Sequence, residues 1–170
     1  MSSSFGGAVM RTCLIADSSH LARRVAGRVC GRLGFRSMEV SSGEGLKKAY
    51  RRFQPDLTIV DQSVCVSDVG ALIVSLRYGL GGLRDLNGRD GIILLTGHDL
   101  TEDMIEEARI AGADDYIRKP IDDAALARKL QMTNLADRIA VGQSDMAMQN
   151  GSRTRSVKPS GKVIQLSDWR

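Results

Sequence analysis

Short apolar runs alternate along this chain with longer stretches whose apolar residues recur every three or four positions. Residues 12–16 (TCLIA) form the first run and read as a strand. The following SSHLARRVAGRVCGRLG places Leu21, Val25, Val29 and Leu33 on one helical face, with Ser18 as cap and Gly34 as stop. A brief strand over residues 37–40 leads into SSGEGLKKAYRRF, where Ser41 and Glu44 have capping-box spacing and Pro55 closes the helix. The unbroken apolar run 57–60 is expected of a central strand covered on both faces, with a helix over 69–76 after it. The Gly-rich stretch YGLGGLRDLNGRDG reads as a long, mobile loop. Its scattered glycines do not follow a strand into a helix, which argues against a phosphate-cradling loop. Residues 92–95 predict a fourth strand, and DLTEDMIEEARIAG a helix opened by Asp99 with Glu102 and closed by Gly112. Tyr116 and Ile117 mark a last strand, followed by a helix from about Asp122 to at least Leu130.

Five strands alternating with five helices imply an α/β fold: a doubly wound parallel sheet with right-handed crossovers. The order of elements is compatible with a flavodoxin-like (βα)5 arrangement, strand order 2-1-3-4-5. Chemistry in such sheets collects beyond the carboxyl ends of the strands. Four runs end there in reactive groups, Asp17, Asp61, Thr96 and Lys119, which this order would bring together. The set suits phosphoryl transfer onto an aspartate. Ala16 stands where a second acid beside Asp17 would complete it.

With 170 residues, the default is one domain plus tails, expected here as a flexible leader over 1–10, a domain over 11–135 and a disordered basic tail over 136–170. Only 4% of residues are aromatic, so the core is expected to be aliphatic. No run is long enough to span a bilayer, and the leader MSSSFGGAVM does not resemble a secretion signal, which favours a cytoplasmic protein. Cys13, Cys30 and Cys65 form no close pair in sequence and argue against both a disulfide framework and a zinc site. The net charge of +4 lies wholly beyond residue 137, because residues 1–137 carry 18 basic and 18 acidic side chains. Arg153, Arg155, Lys158 and Lys162 offer weak phosphate contacts but no aromatic interleaving, so specific nucleic-acid binding is not expected. The terminal KVIQLSDWR, with the only tryptophan, Trp169, is suited to docking on a partner or on the domain itself.

Over roughly residues 11–130 the chain resembles bacterial response-regulator receiver domains. The resemblance rests on ADSSHLARRVAGRVCGRLGF, PDLTIVD, IILLTG and AGADDYIRKP, in order and at family spacing. It implies that Asp61 is the phosphoacceptor and that Asp17, Asp61 and the backbone carbonyl of Ser63 bind magnesium. Thr96 would contact the phosphoryl group, Lys119 would pair with it, and the bond from Lys119 to Pro120 would be cis. Thr96 and Tyr116 would act as switch residues, and Ser63 and His98 occupy positions that tune dephosphorylation. The resemblance further implies a histidine kinase or histidine phosphotransferase as phosphodonor, a downstream protein partner, and a monomer or homodimer. Because the pattern fades after about residue 135, a stand-alone receiver without a helix-turn-helix or catalytic output module is expected. In the family, the first helix helps to dock the donor.

The chain departs from the family pattern at Ala16, Cys65 and Val69, where the family tends to have an acid, a proline and a glycine. Loss of the acid is expected to weaken magnesium binding, since that ion demands well-placed oxygen ligands. A phosphorylation-independent interaction module is therefore the alternative. A phosphohydrolase is a further one, although Ser63 stands where such enzymes commonly carry an acid. Taken singly, the residues have plainer readings: Asp61 as a turn cap, Tyr116 as packing, His98 and His20 as loop and helix-start residues, and Arg23, Arg24, Arg28 and Arg32 as a solvated helix face.

Overall fold

The two most apolar runs of the chain lie side by side at its centre. The computed structural model describes residues 10–65, 68–79 and 91–133. In it, β3 (Leu57–Asp61) and β4 (Ile92–Gly97) are buried at every position, as a strand covered on both faces must be. Around them β1 (Arg11–Ala16), β2 (Phe35–Val40) and β5 (Asp115–Arg118) complete one parallel sheet in the order β2-β1-β3-β4-β5. This is the expected α/β flavodoxin-like topology.

Five helices cover the sheet: α1 (His20–Arg32), α2 (Gly43–Phe53), α3 (Val69–Tyr78), α4 (Glu102–Ala111) and α5 (Asp123–Met132). Because strand side chains alternate between faces, there are two cores. Cys13, Ile15, Leu57 and Ile59 pack with Val29 of α1 and Leu126 of α5. Leu14, Val60, Ile93 and Leu95 pack with Leu46 of α2, Ile73 of α3 and Ala108 of α4. On the second face, Arg77 of α3 ties the lower edge together. It donates to the carbonyls of Gly91 and Gly112 at 2.7 and 2.8 Å and pairs with Asp114 at 2.5 Å.

Several local expectations are corrected. The cap of α1 is Ser19, whose hydroxyl accepts from the Ala22 amide, while the Ser18 amide instead donates to Ser63 Oγ at 3.1 Å. The cap of α2 is Ser42 rather than Ser41, and that of α4 is Thr101 rather than Asp99. The α2 helix ends on Gln54 in the left-handed region, φ 44°, one residue before Pro55. Asp122 does cap α5, and Gly112 at φ 112° does close α4. The buried face of α1 is Ala26, Val29 and Cys30. Leu21 and Val25, expected inside, are 73% and 43% exposed. The sulfurs of Cys13 and Cys30, distant in sequence, lie 3.5 Å apart in the core. The expected leader, tail and most of the Gly-rich loop fall outside the described residues.

Candidate functional site

Parallel pairing carries all four strand-end groups to one edge. Asp61 closes β3 in register with Thr96 of β4, while Asp17 follows β1 and Lys119 follows β5. The Lys119–Pro120 peptide is cis, as the resemblance implied. Lys119 Nζ donates to Asp17 Oδ2 and stands 2.8 Å from Asp61 Oδ2. Both carboxylates are deeply placed, Asp17 at 4% and Asp61 at 3% exposure. One ammonium thus spans two buried acids. Burial works against the charge on Lys119, but its contacts with Asp17 and Asp61 outweigh that and raise its pKa above the ordinary lysine value.

The remaining oxygens sort the site into anchored and free groups. Asp17 Oδ1 accepts from the Ser19 amide at 2.8 Å, and Asp61 Oδ1 from the Ser63 amide at 3.0 Å. Each carboxylate is therefore fixed by its own following turn, in the case of Asp61 a short 3-10 turn over Gln62–Val64. The Lys119 contact with Asp61 Oδ2 lacks hydrogen-bond alignment, so this buried oxygen has no donor among the described residues; nor does the Thr96 hydroxyl have a partner. Buried polar atoms left so are costly unless a ligand engages them. Asp61 lines a cavity of about 640 Å³ with Asp17, Gln62, Ser63, His98 and Lys119, among others, and Thr96 lines a second one of about 360 Å³ that shares Asp17, His98 and Lys119 with it.

Two carboxylates on one cavity, one with an unengaged oxygen, form a donor set that fits a hard divalent cation. The first strand contributes only one of them, because the Ala16 methyl is buried in the core. The turn carrying Ser63 adjoins Cys65, whose thiol points back at the Asp61 carbonyl at 3.8 Å. Burial, with the nearby charges of Asp61 and Asp68, pushes that thiol's pKa up to about 11. Val69 begins α3 behind an Asp68 cap.

The other expected residues lie apart from this centre. His98 is exposed and stands at the rim of the cavity. Tyr116 lies on the α4 side, half-buried, with Lys129 Nζ 4.7 Å above its ring, in a small separate cavity with Leu95, Ile105 and Ala108. Sequence reasoning missed Arg23. Placed there among solvated arginines, it instead donates to the backbone carbonyl of Asp17 at 2.6 Å and lies 3.6 Å from Glu39. Its signal was its place in the second turn of α1, above the strand end. Gln62 was also missed; it packs over Gly97, where a Cβ would lie 2.7 Å from its Cδ.

An acid–hydroxyl–lysine edge on this sheet is the arrangement expected of a signalling receiver, and the comparisons identify the family. The model of the response regulator receiver domain matches residues 13–131, and the chain belongs to that family, the receivers of two-component signalling. Among solved structures it is similar to the chemotaxis response regulator CheY4 of Vibrio cholerae, with 18% identity, TM-score 0.61, and 73% of this chain and 98% of that one covered. It is also similar to a CheY-like receiver domain from Methylobacillus flagellatus, with 24% identity, TM-score 0.60 and the same coverages. A third similar structure is the receiver domain of a sensor histidine kinase from Pseudomonas aeruginosa PAO1, which holds a magnesium ion in its active-site cleft. It shows 23% identity, TM-score 0.59, and coverage of 72% and 95%. Curated protein sequences give no match. Among the described residues no helix is long and apolar enough to cross a membrane.

Proposed function

We propose that Asp61 accepts a phosphoryl group from a phosphohistidine on a kinase or histidine phosphotransferase, and that the resulting change is read by protein contact. The observation that carries this reading is the Lys119 ammonium 2.8 Å from the buried Asp61 Oδ2, on a residue that lines the cavity, with the Thr96 hydroxyl in register on the next strand and unpaired among the described residues. In the transfer, an Asp61 oxygen forms a bond to phosphorus as the phosphorus–nitrogen bond to the donor breaks. The Lys119 ammonium offsets the repulsion between carboxylate and phosphoryl oxygens, and Thr96 donates to one of those oxygens once the acyl phosphate has formed. Asp17, Asp61 and the Ser63 carbonyl would hold magnesium, which when bound neutralises charge on the phosphoryl group. With Ala16 in place of an acid, its affinity is expected to be low.

The donor's docking face is supported by α1. Exposed Leu21 and Val25, with Pro120 and Ile121, border a mostly apolar cavity of about 360 Å³ that reaches Thr96 and Lys119. Arg24, Arg28 and Arg32 rim that helix.

The test is incubation with magnesium and acetyl phosphate, or with a phosphorylated histidine donor, followed by intact mass measurement. A single phosphoryl adduct that vanishes in Asp61→Ala is expected. No adduct with either donor, or one that survives in Asp61→Ala, overturns the proposal and favours the phosphorylation-independent module.

A further inference from the structure

We infer that Cys13 and Cys30 are an oxidisable dithiol, closed by a small hydroperoxide into an internal disulfide that fastens α1 to β1. The two sulfurs lie 3.5 Å apart, already in contact, with the cysteines 17 positions apart in the chain. Cys13 projects from β1 toward α1, and Cys30 sits in the last turn of α1 facing the sheet. Ser37 of β2, paired in register with Cys13, has a buried hydroxyl with no hydrogen-bond partner among the described residues. The phosphoryl-accepting site uses none of these groups.

The two thiols are not equivalent. The contact with Cys13 and the Ser37 hydroxyl lower the Cys30 pKa against the opposing effect of burial, whereas burial holds that of Cys13 well above the ordinary thiol value. Cys30, on the helix whose opening would bring it to solvent, is assigned as the attacking sulfur, and Cys13, held in the sheet, as the resolving one. The Cys30 thiolate attacks one peroxide oxygen, so that a sulfur–oxygen bond forms as the oxygen–oxygen bond breaks, and the departing alkoxide or hydroxide takes up a proton. Cys13 sulfur then displaces the oxygen from Cys30. The sulfur–sulfur bond forms, and hydroxide leaves with the Cys13 proton as water. Two thiols and one hydroperoxide thus give one disulfide, one alcohol (water, for hydrogen peroxide) and one water.

Both sulfurs are shut off from solvent in the closed fold, and the helix itself supplies the access. Gly27 and Gly31 lie within α1 and Gly34 just beyond it. Glycine inside a helix weakens it. A Cβ at Gly27 would meet Glu39 Oε1 at 3.4 Å, an ordinary contact, and one at Gly31 would have nothing within 4 Å, so packing demands glycine at neither. Opening of the C-terminal half of α1 exposes Cys30 and lets the small oxidant in. The same helix carries Arg23 on the Asp17 carbonyl and the exposed Leu21 and Val25, so the bond stiffens the element beside the acidic site.

The experiment uses the full chain carrying Cys65→Ser, which removes the third thiol. The native protein is treated with hydrogen peroxide, quenched, unfolded in the presence of N-ethylmaleimide and weighed without reductant. The expected product has lost two hydrogens, takes up no maleimide, yields a peptide joining Cys13 to Cys30, and melts at a higher temperature than the reduced form. Dithiothreitol reverses it, and Cys30→Ser abolishes it. Uptake of two maleimides, oxygen adducts alone, or cross-linking between molecules overturns the inference. Gly31→Ala should slow closure several-fold and leave the product the same; an unchanged rate overturns the access route through α1.

Discussion

Lys119→Met tests the electrostatic reading of the site most directly, because it keeps the aliphatic stem and removes the charge between two buried carboxylates. At an effective dielectric of about 20, a unit pair at the 2.8 Å separation from Asp61 attracts by roughly 6 kcal/mol. The Asp17 contact, at least as close, adds about as much. Most of that sum is offset by the hydration the ammonium gives up on burial. The remainder is about 3–5 kcal/mol, the usual cost of removing one partner from a buried ion pair. For a domain of this size that is a fall in melting midpoint on the order of 10 °C or more. The assay is urea unfolding of wild type and variant at pH 7 in EDTA. A raised lysine pKa means its stabilisation is complete below the unfolded value of about 10.4 and is lost as pH rises through the higher folded one. The gap between the proteins should therefore hold from neutral pH to about pH 10. Magnesium should then raise the midpoint of the variant more than that of wild type, as the two acids lose a competing cation. A destabilisation below about 1 kcal/mol, the range of an exposed pair, would refute this account of the site.

Other substitutions read the supporting structure. Arg77→Ala, which removes the ion pair with Asp114 and the donors to Gly91 and Gly112, should cost about 3–5 kcal/mol in chemical denaturation. Arg23→Ala frees the Asp17 carbonyl; about 1.5–3 kcal/mol should be lost in the same measurement, with part recovered in Arg23→Gln, which keeps a donor. Cys65 should alkylate slowly with iodoacetamide at pH 8. Its rate should climb about tenfold per pH unit toward pH 11, and a plateau near pH 9 would contradict the buried, acid-flanked thiol. In Asp61→Asn that climb should level off at lower pH, because one of the charges raising the Cys65 pKa is gone.

The element pattern was legible because each run is locally consistent. The strands are short and aliphatic and the helices amphipathic, and their order leaves few topologies. Caps were not so legible. Ser18 and Ser19, Ser41 and Ser42, and Asp99 and Thr101 are neighbouring residues able to cap. Local propensity cannot choose between them, since the residue that turns is set by how the helix seats on the sheet. The buried side of α1 was misjudged for a similar reason. Leu21, Val25, Val29 and Leu33 share one periodic stripe, but the helix N-terminus overhangs the edge of the sheet. Only its later turns meet the core, through Ala26, Val29 and Cys30.

By itself, the sequence determined the βα order and the placing of Asp17, Asp61, Thr96 and Lys119 at strand ends, since both follow from periodicity along the chain. The family followed from the same spacing. Only the tertiary structure decided which partners those groups have. Lys119 lies 102 residues from Asp17, yet parallel pairing puts its ammonium across both acids. Arg23 looked like one solvated arginine among four until the turn after β1 brought the Asp17 carbonyl to its guanidinium. Cys13 and Cys30 looked unrelated until the first helix folded back over the first strand. In each case the contact depends on distances between elements, which no one-dimensional pattern carries.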